Sequence, residues 1–130
     1  PEGWETKDFG LKYPSFIAPS TDGFLANIGF GQQEVGFPVA FYSAVLQHEF
    51  VKVFPDLTTV SEEFLTANDG ADFFRWEVTL TQTGIKVREV FYIFGSGDWI
   101  LSAIYARPFD RGAEFDPLVE EAMLTMRYHP

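Results

Sequence analysis

The chain has 130 residues, of which 46% are hydrophobic, and a formal net charge of −10. That length implies a single domain over residues 1–130 with a real core, and no apolar run approaches the ~20 residues that span a bilayer. Nine Lys and Arg against nineteen Asp and Glu argue against a nucleic-acid face or direct binding to anionic lipid, and zero Cys excludes disulfides, thiol nucleophiles and cysteine metal sites.

Pro1 opens the chain without Met; a removed signal peptide, a lipoprotein leader or a cut boundary would each leave such a start. Trp4 to Leu11 reads as a short strand or loop. Tyr13-Pro14 and Ala18-Pro19 confine Leu11–Ala18 to an edge strand, because Pro donates nothing to a ladder. Ser20-Thr21-Asp22-Gly23 is a turn. Phe24–Gln33 then alternates, with Phe24, Ala26, Ile28 and Phe30 on one side, and its glycines at 29 and 31 predict a bend or a close neighbour. Over Phe37–Val53 the period changes. Val39, Tyr42, Leu46, Phe50 and Val53 fall within about 80° of a helical wheel, which predicts a helix with Pro38 in its first turn and Pro55 as its stop. Gln47, His48 and Lys52 take the other side of this surface helix.

Leu57–Thr66 is a further strand, and Asn68-Asp69-Gly70 turns into Ala71–Gln82. There Phe74, Trp76, Val78 and Leu80 alternate with Phe73, Arg75, Glu77 and Thr79, the signature of a strand with one drier face. Ile85–Phe94 and Trp99–Ala106 follow, rich in β-branched and aromatic residues and apolar on nearly both sides, as central strands covered on two faces are. Asp116-Pro117 starts a second helix, with Asp116 as N-cap and Phe115, Leu118, Val119, Ala122 and Met126 facing inward. Met126–Tyr128 can add a last short strand. The order β-β-β-α-β-β-β-β-α predicts an α+β fold, an antiparallel sheet sandwiched between helices on opposite faces (α/β/α).

The hairpin also predicts its own register. A two-residue Thr83-Gly84 loop pairs Leu80 with Val87, Val78 with Glu89, Trp76 with Phe91 and Phe74 with Ile93. A slip of one residue would turn Lys86 and Arg88 onto the dry face. In the accepted register Glu89 lies on the apolar face beside Trp76 and Phe91. It is either the polar anchor of a pocket or a marginal residue that reaches an Arg or water.

Pro1, Gly3 and Trp4, the Tyr13–Pro19 segment, the strand at 24–33 and its following helix open a longer pattern. The hairpin 71–94, the strand Trp99–Tyr105 and a closing helix running into Thr125-Met126-Arg127 complete it. In this order the elements resemble the PsbP-like superfamily, which includes the extrinsic photosystem II protein, a Ran-binding nuclear-import factor and bacterial envelope lipoproteins. The family's last strand often reads Ser-Phe-Arg, where this chain has Thr125-Met126-Arg127. The resemblance implies a non-enzymatic, extracytoplasmic role built on contacts with an unknown protein partner, and leaves room for a lipid anchor upstream of residue 1.

Reactive constellations are not legible. Gly95-Ser96-Gly97 lacks the Gly-x-Ser-x-Gly spacing and precedes a strand, so it reads as a hairpin turn. His48 has no carboxylate at i+3 or i+4, and Asp110, Glu114 and Asp116 lack a calcium-loop pattern, so no metal is expected. No phosphate-cradling glycine motif is present and no cofactor is expected. A hydrolytic reading rests only on Glu77 and Glu89. The leading expectation is partner binding through Phe109, Asp110, Glu114, Phe115 and Asp116, with Thr21–Phe24 a second stretch. The alternative is a carrier of a small apolar ligand in an aromatic cavity around Trp76, Glu89 and Phe91.

Overall fold

Alternating apolar residues dictate strands here, and the long central hairpins carry the sheet. A computed structural model describes residues 5–7, 15–17 and 26–129. Its strands are β1 (Glu5–Lys7), β2 (Ser15–Ile17), β3 (Asn27–Glu34), β4 (Thr58–Thr66), β5 (Asp72–Gln82), β6 (Ile85–Ser96) and β7 (Trp99–Pro108). Helix α1 (Val39–Val53) lies between β3 and β4, and α2 (Asp116–Leu124) closes the chain after a 3-10 turn at Ala113–Phe115. The strands form one sheet in the order β1-β2-β3-β7-β6-β5-β4, and every pair is antiparallel.

The β5–β6 register is the predicted one: Phe74 opposite Ile93, Trp76 opposite Phe91, Val78 opposite Glu89 and Leu80 opposite Val87. Thr83 and Gly84 both take positive φ, 49° and 79°, the two-residue turn whose twist matches its strands. The hairpin turn expected at Gly95-Ser96-Gly97 joins β6 to β7 but is made by Gly97, at φ 58°, and Asp98, while Gly95 and Ser96 end β6.

The two helices cover opposite faces. Val39, Tyr42, Leu46 and Phe50 of α1 pack on Trp76, Val78, Phe91 and Ile93, and the Phe50 ring meets Phe91 edge-on at 4.9 Å. Val119 and Met123 of α2 sit on Ala26, Ile28, Phe73, Val90, Tyr92 and Tyr105. An α+β sandwich of antiparallel sheet between helices is therefore the architecture.

Several expectations need correction. Val53 is 67% exposed: the last turn of α1 overshoots the sheet, and Phe54 and Leu57 fill the space beneath it. Leu118 is exposed while Val119 and Met123 face inward. Asp116 is the first helical residue and makes no capping bond, because the preceding 3-10 turn leads directly into α2. Residues 126–128 form no strand. Of the glycines at 29 and 31, expected to mark a bend or a close neighbour, Gly31 faces open space; a close approach occurs instead at Gly95, where an added Cβ would meet Val39 at 2.6 Å. The expectations on Pro1 to Trp4, Tyr13-Pro14, Ala18-Pro19 and Thr21–Phe24 lie outside the described residues.

Candidate functional site

Trp76, Glu89 and Phe91 share one face, under α1. Trp76 and Phe91 are fully buried against Phe50, and the indole N–H donates to Thr59 Oγ1 at 3.1 Å. Glu89 is 93% buried by its 7% exposure, between Val78 and Ala106 in register. No hydrogen bond or ion pair reaches its carboxyl among the described residues. Burial pushes its pKa up to about 7. Glu77 is on the other face of the sheet, its register partner being Val90, so the two carboxylates cannot work as an acid/base pair.

That other face holds an arrangement the sequence reading passed over. Arg75, Arg88 and Arg107 project from β5, β6 and β7 toward α2, whose Asp116 and Glu120 stand one turn apart. Arg107 grips Asp116 with two parallel bonds, Nε to Oδ1 at 2.8 Å and Nη2 to Oδ2 at 2.9 Å, and the Tyr105 hydroxyl donates to the same Oδ1. Arg88 Nη1 lies 3.3 Å from Asp116 Oδ1, an ion pair by distance whose angle does not make a hydrogen bond. Arg88 Nε reaches Glu77, which Arg75 also reaches, and Arg75 continues to Glu120, where Tyr92 donates as well. Charges thus alternate along one chain: Arg107, Asp116, Arg88, Glu77, Arg75, Glu120. Burial works against the charges of Glu77 and Asp116, but their arginine partners outweigh it and hold both below the usual carboxylate range. Burial also lifts the Tyr92 and Tyr105 hydroxyls far above their ordinary pKa, reinforced by Glu120 and Asp116. Asp116 is accordingly a structural clamp, and Phe115 packs on the core beside it, each partly exposed.

Of the expected contact surface, Phe109, Asp110 and Glu114 remain exposed. The Lys86 ammonium sits 4.0 Å over the Phe109 ring, and the Phe109 N–H donates to Lys86 O.

The larger exposed apolar feature lies at the start of α1. Phe41 and Val45 stand one turn apart on the helix and Phe37 just before it; they are 58%, 43% and 36% exposed, with Ala40 and Ala44 exposed between them. The Phe37 and Phe41 rings meet edge-on at 5.0 Å. Tyr42, under this stripe, walls an open groove of about 330 Å³ whose floor includes Gly29, Gly31, Ile100, Ser102 and Ile104. The groove exists because Gly29 and Gly31 present no side chains where β3 passes α1. The i, i+4, i+8 spacing was visible in the sequence; the inward stripe on the same helix masked it.

No family model matches this chain, and a search of curated proteins finds no match. Solved structures do match. PA94 of Pseudomonas aeruginosa, a protein of unknown function, aligns at TM-score 0.78 and 15% identity over 100% of this chain and 89% of its own. The solution structure of cyanobacterial PsbP (CyanoP) from Synechocystis sp. PCC 6803 aligns at 0.63 and 11%, covering 92% of this chain and 78% of CyanoP. The fold is PsbP-like. LpqN, involved in cell envelope biogenesis of Mycobacterium tuberculosis, shares it at TM-score 0.61 and 15% identity, over 96% of this chain and 76% of LpqN. At such identities the PsbP-like fold is what these proteins share. No described helix is long and apolar enough to cross a membrane.

Proposed function

We propose that this PsbP-like domain is non-catalytic and works outside the cytoplasm by binding another protein. The observation that carries the reading is the uncovered apolar stripe of α1, Phe37, Phe41 and Val45, beside the groove walled by Tyr42. A helix that is apolar on both sides wants cover on both, and the sheet covers only one. The closed packing of Trp76 and Phe91 against Phe50 supports contact over carriage of an apolar ligand. The mutual commitment of the buried charges beneath α2 supports a structural use of those groups. The location outside the cytoplasm is drawn from the naming of LpqN as an envelope-biogenesis protein.

Phe109, Asp110 and Glu114 form a second, smaller contact area at the opposite end of the sheet. Phe109 is bonded to Lys86 near the β5–β6 turn, whereas the start of α1 is held to the β6–β7 turn through Val35 and Gly36 to Asp98 O. A photo-crosslinking residue placed at Phe41 in the source organism tests the reading. The expected result is a discrete protein adduct, absent when the residue is placed at Lys52 instead. No adduct from Phe41 would defeat the proposal. The pull-down comparing wild type with Phe109→Ser and Asp110→Lys tests the second area in the same way.

A further inference from the structure

Resting on the partner-binding reading, we infer that the partner presents a basic amphipathic helix to α1, with apolar anchors seated on Phe37, Phe41 and Val45 and flanking Lys or Arg at the rim. The charge around this face is one-sided. No Lys or Arg occurs from residue 26 to residue 51. Glu34 ends β3 three residues before Phe37, and the Asp98 turn is tied to the start of α1 by two backbone bonds to Val35 and Gly36. Glu49 stands one turn beyond Val45, and Glu62 accepts a bond from Gln47 on the flank of the same helix. The nearest cation along the helix, Lys52, is paired with Glu49 at 3.5 Å. Three of the nine cations, Arg75, Arg88 and Arg107, are sequestered under α2 on the far side of the sheet.

These charges disfavour the other occupants of the stripe. A second copy packed on this stripe would join two chains of net charge −10. An anionic membrane surface is repelled for the same reason. Phe41 and Val45 stand one turn apart on α1 with the Phe37 ring packed on Phe41, an apolar row that an opposing helix reads, and an apolar centre with a charged rim draws affinity from the centre and encounter rate from the rim.

The test uses two labelled peptides long enough to span α1, identical in their Leu stripe, one flanked by Lys and the other by Glu. Fluorescence anisotropy follows each with the wild-type chain, Phe41→Asp and Leu118→Ser, the last an exposed apolar residue on α2 across the sheet. The Lys peptide is expected to bind wild type and Leu118→Ser alike, at least about tenfold tighter than the Glu peptide. Phe41→Asp is expected to weaken it by at least about tenfold, the effect of losing an interface anchor. That variant adds a negative charge, so plain attraction to an acidic protein would strengthen binding instead. Undiminished binding to Phe41→Asp therefore overturns the inference, as does failure of both peptides to bind. Equal binding of the two peptides overturns the basic partner while leaving the partner-binding reading to its own crosslinking test. A Phe41-dependent dimer in sedimentation, or Phe41-dependent binding to phosphatidylcholine vesicles, would assign the face to a second copy or to lipid and overturn the inference as well.

Discussion

The two faces of one sheet are built on different physics. Under α1 the contacts are Trp76, Phe91, Val78, Ile93 and Phe50, with Glu89 the one buried charged group. Under α2 an apolar half around Phe73, Tyr92 and Val119 gives way to the alternating row Arg107, Asp116, Arg88, Glu77, Arg75 and Glu120. Dispersion and burial are non-directional and scale with area, so the first face depends on volume. Ion pairs drawn out of water depend on every partner being present, so the second depends on completeness. The outer surfaces differ too. The apolar stripe lies on the back of α1, the helix that is held to the sheet chiefly by burial.

The sharpest way to break this comparison is to empty the α1 face. Trp76→Ala removes the largest fully buried side chain there and should cost roughly 3–5 kcal/mol in a denaturant titration, a large part of a typical ~5–15 kcal/mol. A midpoint equal to wild type would mean that the face does not depend on volume. On the α2 face, Arg75→Met conserves bulk but strips Glu120 of its cation and leaves Glu77 with Arg88 alone. A loss of about 2–4 kcal/mol is expected, tempered because Glu120 keeps some water. If Arg75→Met is neutral while the Arg75→Met/Glu120→Leu pair is destabilising, completeness is not what holds α2.

The faces should also answer to pH with opposite signs. Glu89 has a pKa raised by burial, so its contribution is intact below the usual glutamate range and is lost as pH rises toward about 7, where the buried group must ionise. Glu77 and Asp116 have lowered values, so their contribution is present above the usual carboxylate range and is lost as pH falls through it. Glu89→Gln should therefore gain on wild type by about 2 kcal/mol between pH 5 and pH 8, a size set by a shift of a few pKa units. Thermal melts of both proteins across that window check it; parallel curves would show that Glu89 finds a partner or water. The smallest expected effect is on the outer stripe. Phe41→Ser should change stability by less than about 0.5 kcal/mol, since the ring is mostly exposed. A larger loss would make Phe41 part of the fold and remove it from the contact surface.

What the sequence determined by itself was whatever follows from period and turn chemistry. Alternation from Phe73 to Leu80, the Thr83-Gly84 turn and the cost of turning Lys86 and Arg88 inward set the hairpin register pair by pair. The 3.6-residue period placed α1, and the apolar central strands required a helix on each face. Asp116, Leu118 and Val53 were misjudged because a wheel angle assigns a direction but not the neighbour that waits there. Only tertiary packing decided that the arginines of the wetter face would be covered. Arg75, Arg88 and Arg107 are drawn from three strands, and their carboxylates from α2 and β5, across sequence separations that no local pattern records. The outward stripe of α1 was written in the sequence at 37, 41 and 45, yet a helix with two apolar sides does not say which one the sheet will take. The sheet took the side carrying Tyr42, Leu46 and Phe50, where Phe50 meets both Trp76 and Phe91 edge-on, and left the other side bare.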